Sequence, residues 1–272
     1  QVVKVKVIYA PRKKSIEAII HTLIGVLIAK KLKPDIIHIH SIGPALFTPI
    51  FKLLGFKIIF THHGPDYNRA KWGRLAKTVL KLGEYLGVKY SDKVIAISTV
   101  IENLIKEKYN CNKTYLVYNG VNLPVVNEAS NYEDILKKYN LQKKEYVVAI
   151  GRFVKEKGFH DLINAYSLLK TNFKLVLVGD ADHEDQYSKY LKALAKEKQV
   201  ILTGFLSGES LKAVFMNARL FVLPSYHEGL PIVLLEAMSY NLDVLVSNIP
   251  ANLEVPLEED DFFKVGDIDD LS

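Results

Sequence analysis

Short apolar runs alternate with amphipathic stretches along almost the whole chain. In the first half, "VVKVKVIYA" (2–10), "DIIHIHS" (35–41), "KIIFTHH" (57–63), "KVIAIS" (93–98) and "TYLVYNG" (114–120) read as strands. Helical patterns lie between them, for example "SIEAIIHTLIGVLIAKKL" (15–32) and "STVIENLIKEKY" (98–109). Ser98 or Thr99 with Glu102 has the spacing of a capping box at the second of these. Strands alternating with helices predict a parallel sheet covered on both faces.

Residues 123–144 lack strand periodicity and are expected to be a linker. The alternation then restarts, with strands at 146–151, 173–180, 200–205, 220–225 and 243–248. Helices are expected at 159–170, 185–198, 207–218 and from Pro231 onward. The pattern predicts an α/β protein with one Rossmann-like domain over 1–122 and a second over 145–272. Two such units facing each other would enclose a cleft, and open parallel sheets bind ligands at the carboxyl ends of their strands.

Composition bounds this picture. The 272 residues are 49% hydrophobic and 24% charged, as in ordinary globular proteins. Cys111 is the single cysteine, so no intrachain disulfide can form and a buried, inert thiol in a reducing compartment is expected. No apolar run approaches the roughly 20 residues of a membrane-spanning helix, and the N-terminus has no signal-peptide core. The chain begins without Met and stops at "DDLS", so it is expected to be an internal piece of a longer protein.

The net charge of +6 conceals a division. Residues 1–122 carry 20 Lys and Arg against 7 Asp and Glu, a balance of +13; the remainder carries 16 against 23, a balance of −7. The basic half is expected to meet an anionic partner. Much of that charge lies in residues 69–93, with seven cations and two acids. Here Leu75, Val79, Leu82 and Leu86 form an apolar stripe at helical spacing, while Lys71, Arg74, Lys77 and Lys81 lie away from it. Two readings stand: a helix resting on an anionic bilayer surface, or a core-packed helix with a solvated basic face. No nucleic-acid motif accompanies the charge.

Two constellations carry candidate chemistry. In "AIGRFVKEKGFHDLI" (149–163), a strand ends at Gly151, and Arg152 and Lys157 follow in a short loop before a helix. Glycine lets backbone amides approach a ligand closely, a helix start favours anions, and an Arg–Lys pair suits a diphosphate. A solvated turn with two surface cations is the bland alternative. In "SYHEGLPIVLLEAM" (225–238), Glu228 sits in a turn and Glu236 follows an apolar run. A charge in such a run needs a partner. Both carboxylates could accept hydrogen bonds from sugar hydroxyls, or Glu228 could cap the turn while Glu236 meets a structural cation.

"GRFVKEKG" followed by "VLPSYHEGLPIVLLEAM" resembles the retaining glycosyltransferases of family 4, which have the GT-B fold, and Glu228 and Glu236 stand in that family's paired-glutamate arrangement. "DIIHIHSIGPAL", "THHGPDY", "SDKVIAIS" and "YNGV" look like N-domain landmarks of the same family. "THHGPDYNRAKWGRLAK" further resembles rhamnosyltransferase-like enzymes of bacterial surface-polysaccharide synthesis. The resemblance implies glycosyl transfer from a nucleoside diphosphate sugar, with retention, to a glycan or polyprenyl-linked acceptor. It implies a cytoplasmic enzyme, peripheral on the inner face of the plasma membrane.

By the same resemblance, Arg152 and Lys157 hold the donor's diphosphate, Glu228 meets the donor sugar and Glu236 holds the ribose hydroxyls. Gly151, Gly229 and Leu230 belong to the donor site, and Gly204, Phe205 and Leu206 occupy the base-contacting region. His63, before Gly64, lies near the donor sugar and acceptor. His62 points to the opposite face of its strand end, and His38 and His40 read as structural strand residues. No metal or further cofactor is implied, because the two cations can replace Mg²⁺. Asp180 and Asp182 have the spacing of an Asp-x-Asp metal motif, but their segment reads as a loop after a strand.

The chain also departs from the family. The family's first strand and Gly-rich loop have no counterpart before Gln1, Asn241 and Asp243 replace a common Gly and Pro, and the last helix is missing. An incomplete N-terminal domain is therefore expected. Two other readings remain open on this architecture: a non-catalytic nucleotide-sugar or membrane-binding module, and an epimerase or phosphorylase.

Overall fold

The computed structural model describes residues 4–8, 17–68, 72–124 and 132–272. The chain divides into two compact units, Gln1–Tyr118 and Asn119–Ser272.

The first unit runs α1 (Glu17–Leu32), β1 (Ile36–His40), α2 (Thr48–Leu53), β2 (Lys57–His62), α3 (Arg74–Tyr90), β3 (Lys93–Ala96), α4 (Thr99–Tyr109) and β4 (Thr114–Leu116). Its strands are all parallel, in the order β1-β2-β3-β4. Ile58, Phe60, Val94 and Ala96 are fully buried on the two central strands. The strand expected at 2–10 is not found in its described part, residues 4–8, where Val5 and Val7 are exposed. Alternation supplies one apolar face, but a strand also needs a ladder partner. The rest of that expected strand lies outside the described residues.

Ser98 is the N-cap of α4 and accepts a hydrogen bond from the Ile101 N–H at 3.3 Å. Glu102 falls one residue past the capping-box position and pairs with Lys106 instead.

Helix α3 corrects the expected stripe. The residues it buries are Gly83, Glu84, Gly87 and Val88, whereas Leu75 is 81% and Leu82 48% exposed. The two glycines permit a close approach: a Cβ on Gly83 would lie 2.1 Å from the Ile42 carbonyl oxygen, and one on Gly87 would press on Ala45 and Phe60. Small residues, not the leucines, decide which face packs. A cavity of ≈ 510 Å³ opens beside the end of this helix, lined by Tyr85, Lys89, Tyr109, Asn110, Cys111 and Lys113 among others. It holds none of the residues expected for the site, and Cys111 is a buried free thiol.

The second unit comprises α5 (Tyr132–Lys138), β5 (Tyr146–Ile150), α6 (Phe159–Leu168), β6 (Lys174–Val178), α7 (Gln186–Glu197), β7 (Ile201–Gly204), α8 (Gly208–Met216), β8 (Leu220–Leu223), α9 (Ile232–Ser239), β9 (Asp243–Ser247), α10 (Pro250–Leu253), β10 (Phe262–Phe263) and α11 (Ile268–Leu271). All six strands are parallel, in the order β10-β9-β8-β5-β6-β7. Part of the expected linker therefore belongs to this unit: α5 packs against α8, and Leu136 and Leu141 are buried. The elements after β9 were not expected from the sequence, because they are too short to show a period.

Strand β5 lies between β6 and β8, so the chain leaves it in one direction and returns on its other side. In open parallel sheets such a reversal marks the crevice where ligands bind, here the carboxyl ends of β5 and β8.

Candidate functional site

The loops leaving β5 and β8 carry most of the candidate donor-site residues. After β5, Gly151 leads into Arg152, the buried Phe153 and a short turn over Lys155–Lys157. Gly158 follows at φ +66°, and a Cβ there would lie 2.0 Å from the Pro224 carbonyl oxygen, so only glycine fits between the two loops. A Cβ on Gly151 would crowd the Phe159 ring and the Lys157 side chain. After β8, the Tyr226 N–H donates to the Glu156 carbonyl at 2.9 Å, stitching the loops together.

This stitching brings Lys157 Nζ to 2.5 Å from Glu228 Oε1, across 71 positions of sequence. Both side chains are largely buried, 17% and 13% exposed. Ser225 Oγ donates to the same oxygen at 2.6 Å. Ser225 is itself fixed, since its carbonyl accepts from Ser247 Oγ and Asn252 Nδ2 holds the Ser247 oxygens. Both contacts fall on Oε1, and Oε2 of Glu228 takes none from the described residues.

Arg152 points elsewhere. Its Nη1 donates to Asp182 Oδ2 at 2.7 Å in an exposed pair, while Asp180 pairs with Lys192 at 2.9 Å. The two carboxylates of the Asp-x-Asp segment are thus held by cations. Arg152 and Lys157 are not brought onto one partner.

Glu236 lies in the second turn of α9, half-buried. Its carboxylate has no hydrogen-bond or ion-pair partner among the described residues, and burial pushes its pKa up. Leu230 is buried and its carbonyl accepts from Asn119 Nδ2 at 3.2 Å, while Gly229 is half-buried in the same turn. Asn119 comes from the "YNGV" segment, expected in the N-terminal domain; its contacts assign it to the second unit. At the end of β7, Gly204 has φ +72° and accepts the Gly179 N–H, Phe205 stands 79% exposed, and Leu206 is half-buried. Sequence reasoning did not single out Ser225 or Asn119, and it raised Asp182 only for its spacing from Asp180, not as the partner of Arg152. Asn119 and Asp182 meet partners 111 and 30 positions away, which no local pattern shows, whereas Ser225 lies three residues from Glu228 and offered a signal.

In the first unit, His62 and His63 at the end of β2 face opposite ways. His62 is fully buried, whereas His63 is half-exposed with its Nε2 3.0 Å from His40 Nδ1. Burial and the neighbouring His40 and His62 push the His63 pKa down. His40, expected as a purely structural strand residue, therefore touches a candidate site residue, and His38 bonds Thr61 at 2.7 Å.

Residues 131–272 match the family described as glycosyl transferases group 1, and residues 2–124 match glycosyltransferase family 4. Among curated relatives, the UDP-Gal:alpha-D-GlcNAc-diphosphoundecaprenol alpha-1,3-galactosyltransferase of Escherichia coli is 29% identical over 88% of this chain and 65% of its own length. The putative teichuronic acid biosynthesis glycosyltransferase TuaC of Bacillus subtilis is 28% identical over 81% of this chain and 54% of its own. The chain thus spans about half to two thirds of the length of these relatives. Among solved structures, Anabaena HepE in complex with UDP and glucose superposes with a TM-score of 0.79 at 18% identity, covering 92% of this chain and 69% of that one. The two parallel-sheet units have the GT-B fold.

Proposed function

This chain belongs to the glycosyl transferases group 1 family, and from that premise we propose that it moves a sugar from a nucleoside diphosphate sugar to a glycan or lipid-linked acceptor in surface-polysaccharide synthesis. The observation that carries the reading is the Lys157–Glu228 pair at the β5–β8 crevice. It puts a cation for the diphosphate and a carboxylate with a spare oxygen for a sugar hydroxyl in one place. Transfer breaks the C1–O bond of the donor, with the electron pair going to the diphosphate. The acceptor hydroxyl forms the new C1–O bond and passes its proton to the departing diphosphate. Negative charge grows on the leaving group, and Lys157, joined by Arg152, would stabilise it. Glu236, which has no donor of its own among the described residues, is suited to ribose hydroxyls. The reading takes the transfer to be retaining and to need no metal, as the family resemblance implies.

A panel of UDP-, GDP- and TDP-sugars tested for transfer or hydrolysis with the full-length protein checks this. Lys157→Ala should lower kcat roughly a hundredfold or more, and Glu228→Ala should lower it as well. Activity untouched by both substitutions would sink the site.

The acceptor side extends the proposal. Helix α3 presents Leu75 and Leu82 outward beside the exposed Arg74, Lys81 and Lys89, and no described helix is long and apolar enough to cross a membrane. Apolar side chains flanked by cations suit the surface of an anionic bilayer. The relative whose name includes a diphosphoundecaprenol acceptor supports a lipid-linked substrate. We place the protein in the cytoplasm, peripheral on the inner membrane face. Phosphatidylglycerol vesicles should sediment the full-length protein in low salt, and the double substitution Leu75→Ser, Leu82→Ser should release it. Absence of binding by the wild type removes the membrane claim.

A further inference from the structure

Helix α3 carries an acid on its inner face, and the acid is saturated. Glu84 is fully buried, and its Oε1 accepts from His62 Nε2 at 2.9 Å and from Tyr67 Oη at 3.2 Å. Its Oε2 accepts from Tyr109 Oη at 2.5 Å and from Lys108 Nζ. A carboxylate offers about four acceptor positions, so Glu84 has nothing left for a ligand. Its function must be exerted through the groups it holds.

Of those groups, His62 leads back to the candidate site. Its other ring nitrogen, Nδ1, accepts the Gly64 N–H at 3.1 Å. A backbone N–H can only donate, so Nδ1 carries no proton and the ring proton lies on Nε2, aimed at Glu84. Gly64 sits at φ +119°, a conformation that costs side-chain-bearing residues dearly. The turn that carries His63 out of the sheet is therefore pinned from behind by one imidazole. That imidazole is fixed in tautomer and orientation by one carboxylate.

We propose that Glu84 is a positioning residue: by holding His62 as the Nε2–H tautomer, it sets the His63–Gly64 turn through the Gly64 N–H. The inference rests on His63 belonging to the transfer site. Unlike Lys157 and Glu228, Glu84 never touches substrate; it acts through two hydrogen bonds in series. Because α3 also bears the outward leucines and cations, the helix that would rest on the bilayer is the one that braces the turn.

The test separates the two nitrogens of His62. Asparagine places its amide oxygen where Nδ1 stands, and glutamine places its amide nitrogen where Nε2 stands. In the full-length protein, His62→Gln keeps the bond to Glu84 but frees the turn, and should lower kcat roughly ten- to a hundredfold. His62→Asn keeps the bond to Gly64 and should lose less. Glu84→Gln should lower kcat while leaving the donor KM and the affinity for UDP within about twofold. Glu84→Gln combined with His62→Gln should cost no more than His62→Gln alone, the mark of residues in series. Long-range ¹H–¹⁵N spectra of the wild type should show His62 protonated at Nε2 and bare at Nδ1, a readout that needs no variant to fold. A proton on Nδ1, additive losses, or a folded Glu84→Gln protein with unchanged kcat would each overturn the inference. His63→Ala serves as the control: unchanged transfer removes His63 from the site, and the inference with it. A loss there with none in Glu84→Gln leaves the site standing and refutes the positioning role alone.

Discussion

Glu84 and Glu236 are both glutamates withdrawn from water, one in each unit, and burial acts on them in opposite company. Burial alone would push the Glu84 pKa up, but hydrogen bonds from His62, Lys108 and Tyr109 outweigh it and pull the value down to about 2. Glu236 has no such donors among the described residues, and burial pushes it up unopposed. Desolvation is the shared cost. What differs is whether the fold supplies the donors or leaves them to be supplied. A saturated carboxylate is architecture, whereas an unsatisfied one at the edge of a crevice is a place for something that brings hydroxyl groups.

The comparison predicts stability effects of opposite sign. Lowering an acid from about 4.5 to about 2 makes its ionised form a stabilising one. That contribution, roughly 3 kcal/mol, is complete above the pH where an unfolded glutamate ionises. It fades as pH falls from about 4.5 towards about 2. Glu84→Ala leaves Lys108 without its carboxylate and should cost roughly 3–5 kcal/mol in urea unfolding at pH 7, a penalty that shrinks in acid. Glu236→Gln should do the reverse. Its raised pKa means that ionisation opposes folding, so removing the charge should stabilise the protein modestly at pH 7, seen as a higher urea midpoint. The same substitution should weaken UDP binding roughly tenfold by calorimetry. In the wild type, UDP affinity should fall with decreasing pH sooner than an ordinary glutamate would dictate. If Glu236→Gln destabilised the protein and left UDP binding intact, Glu236 would be architecture like Glu84.

Much of this difference was hidden in the sequence, for physical reasons. Alternating apolar periods identify most of the strands and helices of both units, because burial of one face repeats along the chain. Helix α3 shows the limit. Its stripe at Leu75 and Leu82 has the right period, yet Gly83 and Gly87 take the packed face, since close backbone approach carries no hydropathy signal. Glu84, one of two acids in a basic segment, carries no local pattern that marks it as buried. Its donors come from β2, the turn beyond it and α4, between 17 and 25 positions away. The Gly-Arg and paired-Glu motifs were legible because their chemistry is local. The ion pair joining Lys157 to Glu228, and the one joining Arg152 to Asp182, are products of the fold.

Those two pairs give the smallest predicted effect. Lys157 meets Glu228 in a largely buried setting, whereas Arg152 meets Asp182 with 42% and 60% of the side chains exposed. An exposed ion pair is worth about 0–1 kcal/mol, so a diphosphate with two or more negative charges can draw Arg152 away from Asp182 at little cost. Removing that competitor should help the incoming anion. Asp182→Asn should tighten UDP binding by about two- to fivefold at low salt, and the gain should vanish in 0.5 M salt as the charges are screened. Glu228→Gln should bring no such gain, because it also removes a partner that holds Lys157 in place. Tighter UDP binding in Glu228→Gln than in Asp182→Asn would mean that Lys157, not Arg152, is the cation the fold keeps waiting.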